Sequence, residues 1–591
     1  MCARSRLIRF AIALAMLLAP SAVPMPAAAQ PSRAAPEAAT GWNSAGLATA
    51  PSFMVAAANP LAVAAGLEML REGGSAVDAA IAVQLVLGLV EPQSSGLGGG
   101  AFALHWDAAR QELKSYDGRE MAPAAATPER FLVDGQPRRF GEAVFGGLSV
   151  GVPGVPRLLE TLHARHGRLS WARLFAPAIK LATEGFRVSP RLHMLLRWHG
   201  ADAFAPAARR YFFDTTGSGR PAGYLLRNPE YAATLRTLAE RGADAFYTGP
   251  LAAAMVETVR GAPNHQGDLT PADLAAYRVK ERESQCVLYR THRVCGIGPP
   301  SSGGPAVAQV LKLIEPFDLG TQPAHAMNAK ALHLIAEAEK LAFADRDAFI
   351  ADPDFVPAPA GLLNAAYLDQ RRALIDPAQA MARPTPGTPP QSASRAWGTD
   401  ETVEASGTSH LSIRDRDGNV LSMTTTIEAA FGSRLWAAGF LLNNELTDFA
   451  FRPVDRAGRP VANAVAPGKR PRSSMAPTIV FDADGKPWAA LGSPGGSRII
   501  LYVVKALVAL IDWKLDAQAA VALMNFGSRG GAFEIEVDHP SAVWHALKVK
   551  PLGHRVSADL LTSGTHAIII RKDGTLEGGA DPRREGVAQG E

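Results

Sequence analysis

The N-terminal part of the chain shows apolar residues at helical spacing. Apolar positions between Leu61 and Leu70 recur on one helix face, and Gly73-Gly74 ends that pattern. Residues 76–89 form a second apolar run, and residues 101–106 have the composition of a strand. Helical spacing returns in two later segments, 154–260 and 326–349.

The pattern changes to short strands and turns after residue 408. Leu411–Ile413 and Val420–Thr426 have strand composition, and the turn sequence Arg-Asp-Arg-Asp-Gly-Asn joins them. Strands joined by turns also surround 482–485 and 572–574, and helical patterns lie between these turns over 498–513 and 516–526. Strand pairs that alternate with helices predict an α+β fold, in which sheets pack together and helices lie outside.

Length and charge bound the class of protein. With 591 residues the chain exceeds the size at which one hydrophobic core stops growing, so two domains or one large layered domain are expected. The net charge is +4 and no long basic run follows residue 10. We therefore expect no nucleic-acid partner.

The first residues have the order of a secretory signal peptide. Three arginines precede the apolar run Phe10–Ala19, and three alanines at 27–29 supply the small residues before a cut. We predict a signal peptide over 1–29 and a disordered Ala/Pro-rich leader over 30–50. The apolar run is too short for a stable membrane anchor, so an exported protein, periplasmic or extracellular, is favoured over an anchored one.

Two cysteines, Cys286 and Cys295, remain after removal of the signal peptide. A hairpin that turns at Arg290-Thr291 places them opposite each other in a non-hydrogen-bonded pair, whose close spacing suits a disulfide. Arg-Thr is a poor two-residue turn, so two independent buried thiols remain the alternative.

The sequence Ala-Ser-Gly-Thr-Ser-His, residues 405–410, joins a Pro/Ala/Ser/Thr-rich segment to a strand. Residues 377–404 are predicted to be an exposed linker. A threonine hydroxyl needs a base, and an N-terminal threonine carries one in its α-amine, so a cut between Gly407 and Thr408 would create a nucleophile. On chemistry alone, an ordinary strand start is the alternative.

Two further segments suit the binding of an amino acid derivative. Gly492–Arg498 precedes an apolar helix, and its adjacent glycines can direct backbone N–H groups at an oxyanion. Residues 471–475 and 443–448 supply the hydroxyls and carboxylates that an amino acid head group needs.

Together these motifs resemble the γ-glutamyltransferases, or glutathione hydrolases, of the N-terminal nucleophile hydrolases. The resemblance runs from about Ala56 to Gly586. It rests on motifs in the family's order: EPQSSGLGGG (91–100), REMAP (119–123), VPGVP (152–156), PPSSGG (299–304), TSH (408–410), LNNE (442–445), DF (448–449), KRPRSSM (469–475) and GSPGGSR (492–498).

The resemblance implies a four-layer αββα sandwich that cuts itself into a large subunit, 51–407, and a small catalytic subunit, 408–591. It implies that Thr408 is the nucleophile, that Thr426 positions it, and that Gly495 and Gly496 form the oxyanion hole. For the substrate it implies that Arg119, Ser473 and Ser474 bind the α-carboxylate. It implies that Glu445 and Asp448 bind the α-ammonium group.

The implied activity is hydrolysis or transfer of a γ-glutamyl group, from glutathione or a related compound to water or an amino acid. The chemistry requires neither a metal nor an organic cofactor. Glu428 stands where members of the family commonly carry Asn near the head group, and this departure leaves a glutaryl or cephalosporin-type acylase as the main alternative. Residues 449–471 contain no Tyr, so an aromatic gate against water is not expected, and hydrolysis is expected to outrun transfer.

Other candidates are weaker. Gly147–Gly151 fits G-x-S-x-G, but Val-Pro-Gly follows in place of a helix, so Ser149 is interpreted as structural. His163 and His166 lie in a polar helical stretch and are interpreted as surface residues rather than metal ligands. An exported binding protein that has lost turnover is the non-enzyme alternative, and self-cleavage distinguishes it from an enzyme.

Overall fold

A computed structural model describes residues 46–390, 397–405 and 407–591 of the protein. The predicted signal peptide and most of the predicted leader lie outside these residues. The described strands are β1 (Ala48–Ala50), β2 (Met54–Ala57), β3 (Gly100–Asp107), β4 (Glu112–Gly118), β5 (Leu132–Val133), β6 (Gln136–Pro137), β7 (Phe186–Arg187), β8 (Leu225–Leu226), β9 (Lys280–Arg282), β10 (Ser284–Tyr289), β11 (His292–Ile297), β12 (Gly407–Arg414), β13 (Val420–Glu428), β14 (Trp436–Ala437), β15 (Phe440–Leu441), β16 (Thr478–Phe481), β17 (Pro487–Gly492), β18 (Phe526–Gly527), β19 (Phe533–Glu536), β20 (Val556–Asp559), β21 (His566–Ile570), β22 (Leu576–Ala580) and β23 (Val587–Gly590).

The described α-helices fall mainly before the predicted cut. They are Pro60–Arg71, Ala76–Val90, Phe140–Val144, Val155–His166, Ala176–Glu184, Pro190–His199, Pro206–Phe212, Pro229–Arg241, Asp244–Tyr247, Gly249–Arg260, Pro271–Ala276, Gly303–Ile314, Ala329–Phe349, Ala365–Arg372, Ile499–Ile511, Ala517–Ala522 and Ala542–Val549. Among the described residues, no helix combines the length and apolar character needed to cross a membrane.

Two seven-stranded antiparallel sheets form the centre of the fold. The first has the order β23-β2-β12-β13-β3-β4-β9, and the second has the order β1-β22-β21-β17-β16-β11-β10. The first sheet contains strands from both sides of Thr408, as does the second. The two predicted subunits are therefore interleaved in both sheets, and each would complete the other's core.

The sheets face each other and carry helices on their outer faces. Leu104, Trp106 and Val420 of the first sheet pack against Ile479 and Phe481 of the second. The other face of the first sheet packs against helices that include Pro60–Arg71 and Ala76–Val90. The other face of the second sheet packs against Gly303–Ile314, Ala329–Phe349 and Ile499–Ile511. The predicted αββα sandwich is confirmed.

Local sequence signals account for most element boundaries. Asn59 caps the first helix by accepting from Leu61 N at 2.9 Å, and Ser75 caps the second with a reciprocal bond to Asp78. The helix predicted over 516–526 is wrong in its second half, because it ends at Ala522 and Phe526 joins β18. Lys505 Nζ holds the Leu523 carbonyl at 2.8 Å and thereby stabilises this turn.

The cysteine hairpin has the predicted register. β10 and β11 pair with Tyr289 opposite His292 and Cys286 opposite Cys295. Arg290 in the turn adopts a φ of 54°, which lets an unfavourable sequence form a tight hairpin. The two sulfurs are bonded as a disulfide, with Cα atoms 4.1 Å apart.

The two ends of the segment predicted as a linker, 377–404, differ in burial. Residues 377–390 have no helix and are mostly exposed. Asp400 and Glu404 are buried, however, because each carboxylate pairs with a buried arginine. Asp400 and Glu404 are thus held against the body of the protein.

Candidate active site

The predicted cut lies at the start of β12, in the middle of the first sheet. β12 and β13 pair with Thr408 opposite Thr426, and their register shifts between Gly407 and Thr408. A Cβ atom on residue 407 would lie 2.5 Å from Glu428 O and 2.6 Å from Ala429 C. Only glycine fits at this position, so the residue before Thr408 is fixed by the close approach of β13.

The hydroxyl of Thr426 is bonded to the peptide that would be cut. Thr426 Oγ1 donates to Gly407 O at 2.7 Å and accepts from Glu428 N at 2.8 Å. Thr408 Oγ1 lies 3.4 Å from Thr426 Oγ1 and donates to it. Because the Thr426 hydroxyl has a single proton, this arrangement directs that proton at the Gly407 carbonyl and polarises it.

Removing the Thr426 hydroxyl is expected to slow self-cleavage. Thr426→Val keeps the volume of the side chain but removes the donor to Gly407 O and leaves Glu428 N without its acceptor. Loss of one such donor lowers a rate by about 10²-fold. The measurement is the fraction of cut chain against time by denaturing electrophoresis. Thr426→Ser is the matched control, and equal rates for the Val variant and wild type would contradict this role.

Two glycines stand at the turn between β17 and the helix Ile499–Ile511. Gly495 and Gly496 have φ values of 142° and 57°, which favour glycine. A Cβ atom on Gly496 would lie 2.0 Å from Ala405 O, so this residue contacts the chain just before the cut. Gly496 begins the turn that leads into the helix, whose first backbone N–H groups favour negative charge.

Arg119 is the cation at the centre of a group of buried carboxylates. Its guanidinium pairs with Glu445 and, at 2.5 Å, with Asp448 Oδ2. It also donates to the backbone carbonyls of Pro471 at 3.2 Å and Arg472 at 2.7 Å. Burial raises the pKa of both Glu445 and Asp448, and the Arg119 charge opposes that rise. The guanidinium therefore favours the ionised form of both carboxylates.

Glu428 ends β13 with a φ of 75°, an unusual backbone for a residue other than glycine. Its carboxylate accepts from Ala405 N at 2.7 Å and from Asn444 Nδ2 at 2.5 Å. Burial raises the pKa of Glu428 well above 4.5, and the nearby Asp448 raises it further. The residue therefore holds Ala405, just before the predicted cut, and adds a further acidic group to the site.

The two predicted serines have different contacts. Ser473 Oγ accepts from Met475 N at 3.1 Å, so it stabilises its own turn. Ser474 Oγ donates to Glu404 Oε2 at 2.6 Å and accepts from Arg346 Nη2 at 2.7 Å. Arg346 pairs directly with Glu404 as well. Ser474 is thus one member of a buried arginine–serine–carboxylate cluster.

The predicted residues surround one small cavity of about 20 Å³. This volume holds about one water molecule, and Glu404 and Ala405, which precede Thr408, form part of the cavity wall. Gly495 is the neighbour in sequence of Gly496, which lines the cavity. The lining contains Arg119, Glu404, Ala405, Thr408, Thr426, Glu428, Glu445, Asp448, Ser473, Ser474, Met475, Gly496 and Ile499.

Sequence reasoning did not identify several residues that complete the site. Arg346 and Glu404 form the cluster with Ser474, and Arg584 Nη1 donates to Thr408 O at 3.0 Å. Asn444 holds Glu428 and also accepts from Ala429 N at 2.9 Å. Arg346 lies within the helical segment predicted over 326–349, and Glu404 lies in the segment predicted as an exposed linker, so neither position was marked as part of the site by its local sequence.

The weaker candidates lie away from the cavity. Ser149 Oγ donates to Val144 O at 2.8 Å, and the interpretation of this residue as structural is confirmed. His166 Nε2 lies 2.7 Å from Tyr116 Oη, and His163 Nε2 lies 2.8 Å from Leu169 O. The ring of His410, next to Thr408, is buried between Thr424 and Ser412, and burial lowers its pKa well below 6.5. Both of its ring nitrogens are hydrogen-bonded to hydroxyls other than that of Thr408.

A separate cluster contains His333, Glu337 and His554, with possible ligand atoms within 4.8 Å of one another. The two rings are hydrogen-bonded directly, with His333 Nδ1 2.8 Å from His554 Nε2. Glu337 accepts from Lys340 Nζ at 2.7 Å. The second nitrogen of His333, Nε2, lies 2.7 Å from Asp376 O, so both nitrogens of this ring have protein partners.

Comparison with known proteins agrees with the geometry of the site. The chain is 36% identical over 550 residues to a glutathione hydrolase proenzyme of Bacillus subtilis (strain 168), a match that covers 91% of each chain. It is also 36% identical over 545 residues to an acylase ACY 1 proenzyme of Pseudomonas sp. (strain SE83), covering 90% of this chain and 92% of the relative.

Solved structures extend the comparison to the fold. The crystal structure of a cephalosporin acylase from Bacillus halodurans superposes with a TM-score of 0.80 at 28% identity, covering 97% of this chain and 99% of the other. The family model described as Gamma-glutamyltranspeptidase matches residues 62–591. This chain belongs to the gamma-glutamyltranspeptidase family.

Proposed function

We propose that the chain cuts itself between Gly407 and Thr408 and then acts as a γ-glutamyl hydrolase and transferase with Thr408 as its N-terminal nucleophile. The observation that carries the proposal is the bond from Thr426 Oγ1 to Gly407 O at 2.7 Å, beside Thr408 Oγ1. Proenzyme relatives among glutathione hydrolases support it.

Self-cleavage would proceed through an ester. Thr408 Oγ1 attacks the Gly407 carbonyl carbon, the peptide C–N bond breaks, and the hydroxyl proton passes to the released amine. Thr426 stabilises the oxyanion on Gly407 O through its existing hydrogen bond. Water then hydrolyses the ester, which leaves a carboxylate on Gly407 and a free α-amine on Thr408.

The free α-amine supplies the base for turnover, because its pKa of about 8 lies close to physiological pH. Thr408 Oγ1 attacks the γ-carbonyl of the donor and passes its proton to this amine, which returns the proton to the leaving amine. The oxyanion is expected to face the N–H groups of Gly495 and Gly496. Water or an amino acid then takes the acyl group.

The acidic residues are proposed to select the γ-glutamyl head group. Glu445 and Asp448 would receive the α-ammonium, while Arg119, Ser473 and Ser474 would receive the α-carboxylate. Burial raises the pKa of both acids, and a bound ammonium, like Arg119, would oppose that rise. This arrangement favours a substrate that brings its own positive charge.

Glutaryl or cephalosporin-type acylase activity is the second candidate. It is favoured by Glu428, whose buried carboxylate replaces the amide expected near the head group, and by the acylase relatives. A glutaryl group lacks the ammonium of a glutamyl group. The two candidates therefore differ in whether Glu445 and Asp448 bind a cation.

The test compares γ-glutamyl-p-nitroanilide with glutaryl-p-nitroanilide on cut wild-type enzyme. A lost hydrogen bond to a charged group is equivalent to about 1.5–3 kcal/mol, so kcat/KM should favour the γ-glutamyl compound by at least 10-fold. Glu445→Gln should narrow this preference, and Glu428→Asn should not reverse it. A faster glutaryl substrate would instead support the acylase. Turnover of neither by cut enzyme would support the binding protein.

Export to the periplasm or the extracellular space is proposed as well. The charged, apolar and small-residue order of the first 29 residues supports it, as does the Cys286–Cys295 disulfide, since such bonds persist in oxidising compartments. Fractionation of cells that express the full chain should locate the protein outside the cytoplasm.

A further inference from the structure

Glu404, three residues before Gly407, is a carboxylate held inside the active site by groups that could hold a substrate. It accepts from Ser474 Oγ at 2.6 Å and pairs with the Arg346 guanidinium. Arg472 Nε lies 3.7 Å from its other oxygen. Glu404, Ser474 and Thr408 line the same cavity, so this carboxylate sits beside the nucleophile.

The other contacts of Arg346 come from the fixed body of the protein. Its Nε donates to Ser302 Oγ at 2.9 Å, and its Nη1 donates to Asp347 Oδ1 at 2.5 Å. Its Nη2 contacts Ser474 and Glu404. Glu404 is the one of these partners that precedes the cut by only a few residues, so cleavage can release it while the rest of the cluster stays in place.

Arg119 is more fully engaged than Arg346 with groups that stay after the cut. Its partners are Glu445, Asp448 and the carbonyls of Pro471 and Arg472, all of which belong to the small subunit. A substrate carboxylate must compete with these groups for Arg119. At Arg346 it needs only to replace the Glu404 carboxylate.

We propose that Arg346 and Ser474 form a carboxylate subsite that Glu404 occupies in the uncut chain and that the substrate α-carboxylate occupies after cleavage. This inference rests on the γ-glutamyl activity proposed above. It adds Arg346 to the residues that determine specificity. It also means that Glu404, a residue of the chain itself, fills the carboxylate subsite before the cut. A guanidinium with a serine hydroxyl is a strong receptor for a carboxylate in a buried site.

The surroundings of Arg346 provide space for the released segment. Arg346 also lines a second cavity, of about 230 Å³, together with Thr402, Ser497, Arg529 and other residues. Thr402 lines this second cavity, and Glu404 lines the small cavity beside Thr408. The segment from Thr402 to Glu404 therefore separates the two cavities. Displacement of this segment would join both spaces and admit a substrate to Thr408.

The test compares two donors with the same uncharged leaving group. γ-Glutamyl-p-nitroanilide carries the α-carboxylate, and 4-aminobutyryl-p-nitroanilide lacks it but keeps the amine. For cut enzyme, Arg346→Met should lower kcat/KM for the first by about 10²-fold, as expected for a lost ionic hydrogen bond, and should affect the second far less. Because the leaving group is uncharged, the effect identifies the acyl α-carboxylate rather than a carboxylate of the leaving group.

Arg371→Met is the matched control. Arg371 is another buried arginine, and it pairs with Asp345 at 3.1 Å on the helix that carries Arg346. Its loss should leave the ratio of the two donors unchanged. An equal fall for both donors in Arg346→Met, or no fall in either, would overturn the subsite.

If Arg346→Met fails to cut itself, a second variant, Glu404→Gln, tests the subsite. In cut enzyme the Glu404 carboxylate still competes with the substrate α-carboxylate for Arg346 and Ser474. Glu404→Gln removes this competing charge but keeps Arg346 and Ser474, so KM for γ-glutamyl-p-nitroanilide should fall severalfold while KM for the 4-aminobutyryl donor stays constant. An unchanged KM for the first donor would overturn the proposal. If wild-type enzyme turned over neither donor, the γ-glutamyl function itself would have failed.

Discussion

Replacing Thr408 by alanine is expected to leave a single uncut chain without measurable turnover. The variant loses the hydroxyl that lies 3.4 Å from Thr426 Oγ1, and with it both the attack on Gly407 and the acyl-enzyme. Loss of a nucleophile of this kind lowers kcat by at least about 10⁴-fold. The measurement is γ-glutamyl-p-nitroanilide turnover together with denaturing electrophoresis of the same sample.

Thr408→Ser is the control for this substitution. It retains the hydroxyl and the α-amine but lacks the methyl group, so it should still be cut and should keep part of the activity. The packing around residue 408 is affected in both variants. Normal turnover by Thr408→Ala would show that another residue carries the reaction, and Ser149 would then be the first to test.

Replacing Arg119 by methionine is expected to destabilise the fold strongly. The guanidinium is 1% exposed and pairs with Glu445 and Asp448, and Glu120 lies 4.0 Å away. Removal of one partner from a buried ion pair costs about 3–5 kcal/mol of unfolding free energy, because the remaining charges are uncompensated. Urea unfolding of the uncut Thr408→Ala chain measures this quantity without the complication of two subunits.

The loss of stability should depend on pH. Burial raises the folded-state pKa of Glu445 and Asp448 above their ordinary values of 4.5 and 3.8, and removal of Arg119 takes away the charge that opposes the rise. Acids with a raised folded-state pKa stabilise the fold at low pH, and this contribution is lost as pH rises. The deficit of Arg119→Met should therefore be larger at about pH 8 than at about pH 5.

Arg456→Met is the control, since Arg456 pairs with Glu401 at the surface, where its side chain is 82% exposed. Such pairs contribute about 0–1 kcal/mol. Similar unfolding free energies for the Arg119 and Arg456 variants would contradict the central role of Arg119 in neutralising the site.

Local rules predicted the framework of the fold well. The pairing of Cys286 with Cys295 followed from counting outward along a hairpin, because side chains alternate strictly along strands. Gly407 was expected from the chemistry of the cut, and the structure adds the steric reason that β13 leaves no space for a Cβ atom. The end of the helix at Ala522 was missed, since it depends on Lys505 from another helix.

The electrostatics of the site could not be predicted in the same way. Arg119 and Glu445 are 326 positions apart, and Arg346 and Glu404 are 58 apart, so no spacing in the sequence marks either pair. The resemblance supplied Arg119 and Glu445 but did not supply Arg346 or Arg584. These residues could be identified only from the fold, which brings Arg584 to Thr408 and Arg346 to Glu404 and Ser474.

The central claim is that Thr408 becomes an N-terminus, and the most direct measurement is the intact mass of the purified wild-type protein under denaturing conditions. The account predicts two polypeptides, the smaller corresponding to residues 408–591 and the larger ending at Gly407. A single uncut chain after prolonged incubation at neutral pH, or a cut at any other peptide bond, would contradict it.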